Sequence, residues 1–291
     1  MRDFLKPFPW QVRVPLRIAF ARWRGKKGGA TEAAMRKPEY ALSVFRRHFE
    51  RFPSSMRREN LVALELGPGD SLFSALIAYA FGFRKTYLVD TRGIASRDFS
   101  EYRKMIAYLA GQGLNVEGLE GCTNLDELLT QARCEYLTEG LAALRGIPSE
   151  TVDFSWSQAV LEHVRKKDFR DIFVELKRIH RLGGVSSHRV DLSDHIEDSL
   201  NNLRFEEAFW EATAGRTSGL YTNRMRLPAM LRLFEEIGFT VEGVQVERWP
   251  TLPTARENFA PEFRVFTDEQ LNVSSFDVVL SLPSTSARSA R

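Results

Sequence analysis

Two histidines and two aspartates lie within eight positions in the stretch HRVDLSDH, residues 188–195. Imidazole and carboxylate groups at this density can form a general-base centre or bind a divalent cation. They also occur in polar loops that follow a buried strand. The spacing H-x-x-D-x-x-D-H is not a common metal-ligand spacing, so we predict no metal site. General-base chemistry and a polar loop both remain open.

Short apolar runs alternate with helical patterns on both sides of this stretch. The patterns predict strands at 61–66, 86–90, 134–140, 152–158, 185–192, 239–249 and 275–282. They predict helices at 38–58, 100–112, 167–182 and 227–237, and one more in SLFSALIAYAFG. We expect Gly183 and Gly184 to end the helix at 167–182. This alternation is typical of an α/β fold whose parallel sheet is covered on both faces.

The glycine-rich turn in LELGPGDS, residues 64–71, is the strongest local signal. Gly67 and Gly69 let the backbone turn sharply and approach a ligand closely. The carboxylate of Glu65 would repel a pyrophosphate but suits an amino or sulfonium group. Asp90 ends the next strand, 21 residues after Gly69. An acid at that place accepts hydrogen bonds from ribose hydroxyls in nucleotide-binding sheets.

The motifs ELGPGDS, LVD, DFSWSQAVLEHV and ELKRIHRLGG, in this order, resemble those of class I S-adenosylmethionine-dependent methyltransferases. The resemblance covers about residues 58–283. It implies a Rossmann-like sheet with a C-terminal antiparallel strand pair, and S-adenosylmethionine as the cofactor. The residues it places against the cofactor are Glu65, Gly67, Pro68, Gly69, Asp90, Thr91, Gly140, Leu141, Ser157 and Gln158. One departure from the usual motif is Ser71, which replaces its third glycine.

HRVDLSDH falls at the end of the fifth strand, and parallel sheets bind ligands at the carboxyl ends of their strands. A hydroxyl acceptor has a high pKa, so methyl transfer to it calls for a general base. We predict His195 as the first candidate for this base, His188 as the second, and Asp191 as a further catalytic residue. The residues that we expect to bind the acceptor are His163, Asp194, Asn202, Arg204, Tyr221, Asn223 and Arg224.

A long insert, about residues 193–226, follows this strand and would form a lid. Its segments DLSDH, LNNLRF and YTNR resemble methyltransferases associated with bacterial surface-polysaccharide assembly. That resemblance implies O-methylation of a sugar or glycan intermediate. Two alternatives are a methyltransferase acting on a secondary metabolite and a non-catalytic scaffold that keeps the cofactor.

The composition is that of a globular protein, with 43% hydrophobic and 27% charged residues among 291. No apolar run is long enough to span a membrane, and no secretory signal pattern opens the chain. Cys122 and Cys134 form neither a metal nor a redox motif. We therefore expect a cytosolic enzyme.

The basic charge is concentrated at the N-terminus. Residues 1–37 carry a net charge of +8, whereas the rest of the chain carries −5. We predict a basic helical arm at 1–57, the methyltransferase domain at 58–283 and a disordered tail at 284–291. Residues 1–30 could pack on the domain, contact an anionic membrane surface or bind RNA. Because the domain is acidic, we expect no nucleic-acid partner. The oligomeric state does not follow from the sequence.

Overall fold

The computed structural model describes residues 34–56, 59–213 and 220–283, together with Val12 and Leu16. Our predictions for the arm at 1–30 and for the tail at 284–291 lie outside these ranges.

Seven strands form one mixed sheet in the order β3-β2-β1-β4-β5-β7-β6. Their bounds are Val62–Leu66 (β1), Lys85–Val89 (β2), Cys134–Leu137 (β3), Val152–Gln158 (β4), His180–Asp191 (β5), Thr240–Arg248 (β6) and Val273–Ser281 (β7). Strands β1 to β5 pair in parallel, and β7 runs antiparallel to both β5 and β6. The predicted Rossmann-like α/β fold with its C-terminal antiparallel pair is confirmed.

The α-helices are α1 (Pro38–Glu50), α2 (Phe73–Ala80), α3 (Phe99–Gly111), α4 (Leu125–Gln131), α5 (Leu141–Gly146), α6 (Lys166–Ile179), α7 (Glu207–Thr213), α8 (Leu227–Ile237), α9 (Pro261–Arg264) and α10 (Asp268–Leu271). Short 3₁₀ turns span Ser54–Met56, Leu161–His163, Asn201–Arg204 and Arg256–Asn258. The helix predicted at 38–58 is shorter, because α1 ends at Glu50 and the 3₁₀ turn follows it.

One face of the sheet is covered by α1, α2 and α3. Phe45 of α1 packs edge-on against Trp156 of β4 at a centroid distance of 5.2 Å, and Phe49 contacts Phe154 at 5.7 Å. Aromatic pairs in such edge-to-face geometry stabilise a core beyond the area that they bury. Helix α1, which we assigned to the N-terminal arm, therefore belongs to the core that supports β4.

The other face of the sheet is covered by α6, α5 and α8. Helix α6 is amphipathic, because Phe169, Phe173, Leu176 and Ile179 recur at helical spacing and are all buried. Phe173 contacts Phe234 of α8 with ring centroids 4.5 Å apart and ring planes tilted by 46°. This layer fixes β4 and β5 side by side.

Strand β5 begins earlier than predicted. Helix α6 ends at Ile179, and β5 already pairs with β4 at Val152 and His180. The register then shifts before Phe154 pairs with Val185. Gly183 and Gly184 therefore lie in a bulge inside the strand and do not end the helix. Gly183 has a φ of +80°, which glycine adopts without a steric penalty.

Within the described ranges, no helix combines the length and the apolarity needed to cross a bilayer.

Candidate active site

The glycine turn lies at the carboxyl end of β1. Gly67 and Gly69 both have positive φ, at +67° and +72°. The Gly67 N–H donates to the Val89 carbonyl oxygen at 2.8 Å, which joins the turn to β2. A Cβ added to Gly67 would come within 2.6 Å of the Val160 side chain. The turn thus needs glycine at 67 for both its backbone conformation and its contact with the segment after β4. Pro68 lies between the two glycines.

Asp90 follows β2 and reaches this turn. Its Oδ2 accepts a hydrogen bond from the Gly69 N–H at 3.2 Å, and its Oδ1 accepts one from the Thr91 N–H at 2.6 Å. The Asp90 backbone carbonyl accepts from the Gly140 N–H at 2.8 Å. Gly140 directly precedes α5, which begins at Leu141. The structure therefore brings together Asp90, Thr91 and Gly140, as a ribose and adenine site would require.

Glu65 is buried on the α1 side of the sheet. Its Oε1 accepts a hydrogen bond from Trp156 Nε1 at 3.0 Å. Its Oε2 has no hydrogen-bond partner in the described part of the chain. Burial raises the pKa of this carboxyl to about 7. A buried acceptor without a partner suits a bound ammonium donor, so the residues here fit an amino-acid-bearing nucleoside such as S-adenosylmethionine.

Ser157 and Gln158 end β4, but their side chains point to opposite faces of the sheet. The hydroxyl of Ser157 is buried and lies 2.8 Å from His188 Nδ1. Gln158 is partly exposed, and its Oε1 lies 3.2 Å from His48 Nε2. Gln158 can therefore contact a ligand at the sheet edge, whereas the Ser157 side chain is bound inside the protein.

His188 does not reach the edge of the sheet. Its Nδ1 and Nε2 lie 2.8 Å and 2.7 Å from the hydroxyls of Ser157 and Ser186. The ring of Phe173 packs edge-on against it at 5.5 Å. Burial lowers the pKa of His188 to about 3. Both nitrogens of His188, the second predicted base, are therefore engaged inside the sheet, which argues against a contact between this ring and an acceptor.

His195 lies beyond β5 and stacks on His163, which ends the 3₁₀ turn after β4. The ring centroids are 4.8 Å apart, and the Nε2 atoms are 3.1 Å apart. His163 Nδ1 lies 2.8 Å from the carbonyl oxygen of Tyr221. The structure thus joins the loops after β4 and β5 through a pair of histidines, of which His163 is exposed and His195 partly exposed.

The contact with Tyr221 assigns the protons of the histidine pair when both rings are neutral. A carbonyl oxygen only accepts, so His163 Nδ1 carries the hydrogen and His163 Nε2 keeps a lone pair. His195 Nε2 must then donate to that lone pair. The Nδ1 atom of His195 is left as the basic nitrogen, and it has no hydrogen-bond partner among the described residues.

The two predicted aspartates organise the loop after β5. Asp191 Oδ1 accepts hydrogen bonds from the N–H and the hydroxyl of Ser193, at 2.8 Å and 2.6 Å. Asp194 is fully buried, and its Oδ1 accepts from the Ile196 N–H at 2.8 Å. Its Oδ2 accepts from the Ser199 hydroxyl at 2.8 Å. Asp194, which we predicted to bind the acceptor, therefore holds the turn that presents His195.

Three predicted acceptor contacts in the insert are buried and bound by the protein. Asn202 Nδ2 donates to Thr222 Oγ1 at 2.9 Å. Asn223 Nδ2 donates to the Leu161 carbonyl oxygen at 2.8 Å. Arg224 Nη2 pairs with Glu207 at 2.6 Å, and its guanidinium packs over Trp210 and Phe263. These three side chains, which we predicted to bind the acceptor, therefore fasten the insert to the domain.

The side chains of Arg204 and Tyr221 also make hydrogen bonds that stabilise the insert. Arg204 Nε donates to Asn201 Oδ1 at 2.6 Å. Tyr221 Oη donates to Glu211 Oε1 at 3.0 Å and accepts from the Lys166 N–H at 3.3 Å. Through its carbonyl, Tyr221 also orients His163. Tyr221 thus contacts the histidine pair through its backbone carbonyl oxygen and not through its aromatic ring.

Two residues that the sequence did not single out belong to the site region. Glu162 precedes His163 and is buried, and neither carboxyl oxygen has a hydrogen-bond partner within the described ranges. Burial raises its pKa well above the usual value. His48 of α1 contacts Gln158, as described above. A signal for His48 was present, since it falls on the apolar face of α1 beside Phe45 and Phe49. No cluster of three metal-ligating side chains occurs in the described ranges.

Residues 102–187 match a family model described as a methyltransferase domain. The match runs from α3 to the middle of β5 and includes β4 and the loop of His163. No curated protein matches the sequence.

Several solved structures are similar. A phosphoethanolamine N-methyltransferase 2 of Haemonchus contortus, in complex with S-adenosyl-L-methionine, is 13% identical with a TM-score of 0.45. The similarity covers 82% of this chain and 52% of that chain, so this chain spans about half the length of that protein.

Two further structures are covered over most of their length. A methyltransferase of Methanosarcina mazei is 14% identical with a TM-score of 0.46, over 79% of this chain and 96% of that one. An S-adenosylmethionine-dependent methyltransferase of Mesorhizobium loti is 15% identical with a TM-score of 0.44. The similarity covers 84% of this chain and 98% of that chain. Similarity at this level carries no information about the substrate. From the family match, residues 102–187 carry a methyltransferase domain, which is an enzyme domain.

Proposed function

We propose that the whole protein is an S-adenosylmethionine-dependent methyltransferase that methylates a hydroxyl oxygen of a sugar or glycan intermediate. The observation that carries the proposal is the His163–His195 pair at the carboxyl ends of β4 and β5. Its open nitrogen, His195 Nδ1, is a base at the edge where parallel sheets bind ligands.

Different residues of the chain would bind the cofactor and remove the acceptor's proton. The cofactor supplies an electrophilic methyl group when it is bound. Glu65, Asp90 and Gly140 would hold it, in the positions described above. His195 Nδ1 takes the acceptor's proton, and its Nε2–H continues to donate to His163. That hydrogen bond stabilises the imidazolium that forms, because His163 offers it a lone pair.

A base of this kind favours an oxygen acceptor over a neutral amine. A hydroxyl is a poor nucleophile until its proton is removed, and a positioned base accelerates such a step about 10²–10⁴-fold. The sugar or glycan class rests on the resemblance of DLSDH, LNNLRF and YTNR to polysaccharide methyltransferases. The side chains of Asn202, Asn223 and Arg224 are buried, so they give no direct support to this acceptor class.

The acceptor is tested by incubating the protein with methyl-tritiated cofactor and separate panels of sugar nucleotides, lipid-linked glycans, phenols and amines. We expect label in a sugar or glycan fraction, as an ether that resists alkaline hydrolysis. Label confined to amines or phenols would overturn the acceptor class. Tight cofactor binding with no transfer to any fraction would favour the non-catalytic scaffold.

The cofactor site is tested with Asp90→Ala. The loss of hydrogen bonds from a charged carboxylate should weaken binding of S-adenosylhomocysteine roughly 10–100-fold, since each contributes about 1.5–3 kcal/mol. Asp126→Ala is the matched control, because this aspartate is exposed on α4. Calorimetric titration measures both variants. Unchanged affinity in Asp90→Ala would remove Asp90 from the ribose site.

We propose as well that the basic segment 1–30 contacts anionic membrane surfaces. Its charge supports this, since residues 1–37 carry +8. Flotation with vesicles containing phosphatidylserine would compare the full chain with one lacking residues 1–30. Equal partitioning of the two proteins would contradict the proposal.

A further inference from the structure

Gln158, at the carboxyl end of β4, is hydrogen-bonded to helix α1. His48 Nε2 lies 3.2 Å from Gln158 Oε1, and His48 Nδ1 lies 2.8 Å from the hydroxyl of Ser187 on β5. His48 is fully buried between α1 and the sheet. His48 is more than 100 positions from both Gln158 and Ser187 in the sequence, so only the tertiary fold joins it to them.

The direction of donation in this network follows from its far end. Arg51 Nη1 lies 3.0 Å from Asp277 Oδ1 and 3.4 Å from Ser187 Oγ. A guanidinium only donates, so the Ser187 oxygen accepts from Arg51. The Ser187 hydroxyl hydrogen is then donated to His48 Nδ1, which is the acceptor within hydrogen-bond distance of it among the described residues. Burial lowers the pKa of His48 to about 4, so the ring is neutral at physiological pH. With Nδ1 accepting, the single ring hydrogen is on Nε2 and is donated to Gln158 Oε1.

This chain of donors sets the orientation of the Gln158 carboxamide. Its oxygen faces α1, so its NH₂ group faces away from His48. No hydrogen bond to that nitrogen occurs among the described residues, and Gln158 is partly exposed. Trp156, which donates to Glu65, lies on the same face of β4 two residues earlier. One side of the sheet edge therefore carries an unpaired acceptor, Glu65 Oε2, and a donor pair on Gln158.

We propose that His48 is a positioning residue that turns the Gln158 NH₂ group toward the carboxylate of the cofactor's amino-acid moiety. An acceptor for the ammonium and a donor pair for the carboxylate match the two charges of that zwitterion. The inference rests on the proposed cofactor site and adds α1 to it. Helix α1 thereby acts on the ligand without contacting it.

The test compares two ligands by calorimetric titration of the full chain. S-adenosylhomocysteine carries the amino-acid moiety, whereas 5′-methylthioadenosine shares the adenosine and thioether but lacks it. His48→Phe keeps the ring volume and removes the donor. We expect it to weaken S-adenosylhomocysteine binding about 5–10-fold, as the loss of one hydrogen bond would. Binding of 5′-methylthioadenosine should stay within about twofold.

Two further variants separate positioning from packing. His48→Gln places a donor nitrogen near the original Nε2, so it should retain S-adenosylhomocysteine affinity to within about threefold. Gln158→Glu keeps the acceptor for His48 but removes the NH₂ group, and should weaken S-adenosylhomocysteine about tenfold or more. It should leave 5′-methylthioadenosine unaffected. If His48→Phe does not fold, the Gln158→Glu and His48→Gln results decide the question.

Equal losses for both ligands in His48→Phe or Gln158→Glu would show a packing role and overturn the proposal. So would unchanged affinity for S-adenosylhomocysteine in Gln158→Glu. Asp90→Ala distinguishes this failure from that of the proposed cofactor site, because loss of a ribose contact weakens both ligands. If the unmodified protein binds neither ligand, the proposed function itself is wrong.

Discussion

His188 and His195 lie seven residues apart in one stretch, yet they occupy opposite kinds of environment. His188 is inside the sheet, with each ring nitrogen within 2.8 Å of a serine hydroxyl. His195 is beyond the strand, partly exposed, and pairs through one nitrogen with His163. His188 therefore has a structural role, whereas His195 has a ring nitrogen that can accept a proton.

The difference shows that residue type and local spacing did not decide function here. Burial lowers the pKa of His188 to about 3, so it stays neutral while it holds β4 to β5. His195 is turned outward by the loop that Asp194 organises, and His163 orients its ring. If the comparison is right, variants at the two positions should separate catalysis from stability.

The largest effect is expected from His195→Ala. Removing a positioned general base should lower kcat about 10²–10⁴-fold, while cofactor affinity stays within about twofold. Single-turnover methyl transfer and calorimetric titration would measure the two quantities. His188→Ala is the matched variant in the same stretch. A kcat that falls equally in both variants, per folded molecule, would break the comparison.

His188→Ala should instead destabilise the fold by about 2–4 kcal/mol. The variant leaves a cavity beside Phe173 and deprives the buried Ser157 hydroxyl of its partner. Urea unfolding followed by circular dichroism measures the change. His195→Ala, at a partly exposed position, should cost less than about 1 kcal/mol. Similar stabilities for the two variants would contradict the assignment of His188 to the architecture.

A smaller effect is expected from His163→Ala, which removes the lone pair that orients His195. The base is kept, but its tautomer is no longer selected, so kcat should fall about tenfold with KM within about twofold. His163→Gln, whose amide oxygen can still accept from His195 Nε2, should recover part of the loss. No change in kcat for His163→Ala would show that His195 acts without its neighbour.

The final prediction concerns the pH dependence of stability. The pKa of His188 is lowered to about 3 in the folded state, so the unfolded chain binds the extra proton first. The contribution of neutral His188 to the free energy of unfolding is fully present above pH 6.5 and is lost as the pH falls toward 3. The stability difference between the unmodified protein and His188→Ala should therefore shrink by about 1.4 kcal/mol per unit below pH 6.5. Urea titrations at pH 7.0, 6.0 and 5.0 check this, and a constant difference would contradict the burial of His188 as a neutral ring.

Most of the fold was predictable, because the signals for its elements are local. The strands, the glycine turn and Asp90 each follow from a few adjacent residues with a strict conformational or positional requirement. The β5 bulge was not predictable in this way. Gly183 and Gly184 suit a helix end equally well, and only pairing with β4 extends the strand back to His180.

The hydrogen-bond partners of the polar side chains in the insert were not predictable for a related reason. Asn202, Asn223 and Arg224 are of the types that bind sugars and phosphates, and their spacing says nothing about where they point. In the fold they are bound to Thr222, to the Leu161 carbonyl and to Glu207. A polar side chain can bind a ligand only if the protein leaves part of its hydrogen-bonding capacity unused.

The sequence by itself determined the order of the strands and of the five longest described helices along the chain, the glycine turn and the acid after β2, because each depends on neighbouring residues. Only the tertiary structure decided which polar groups remain open. His188 faces Ser186 and Ser157, His195 faces His163, and His48 reaches Gln158 across 110 positions. The physical reason is that a hydrogen bond consumes a donor and an acceptor from distant parts of the chain, and folding alone pairs them.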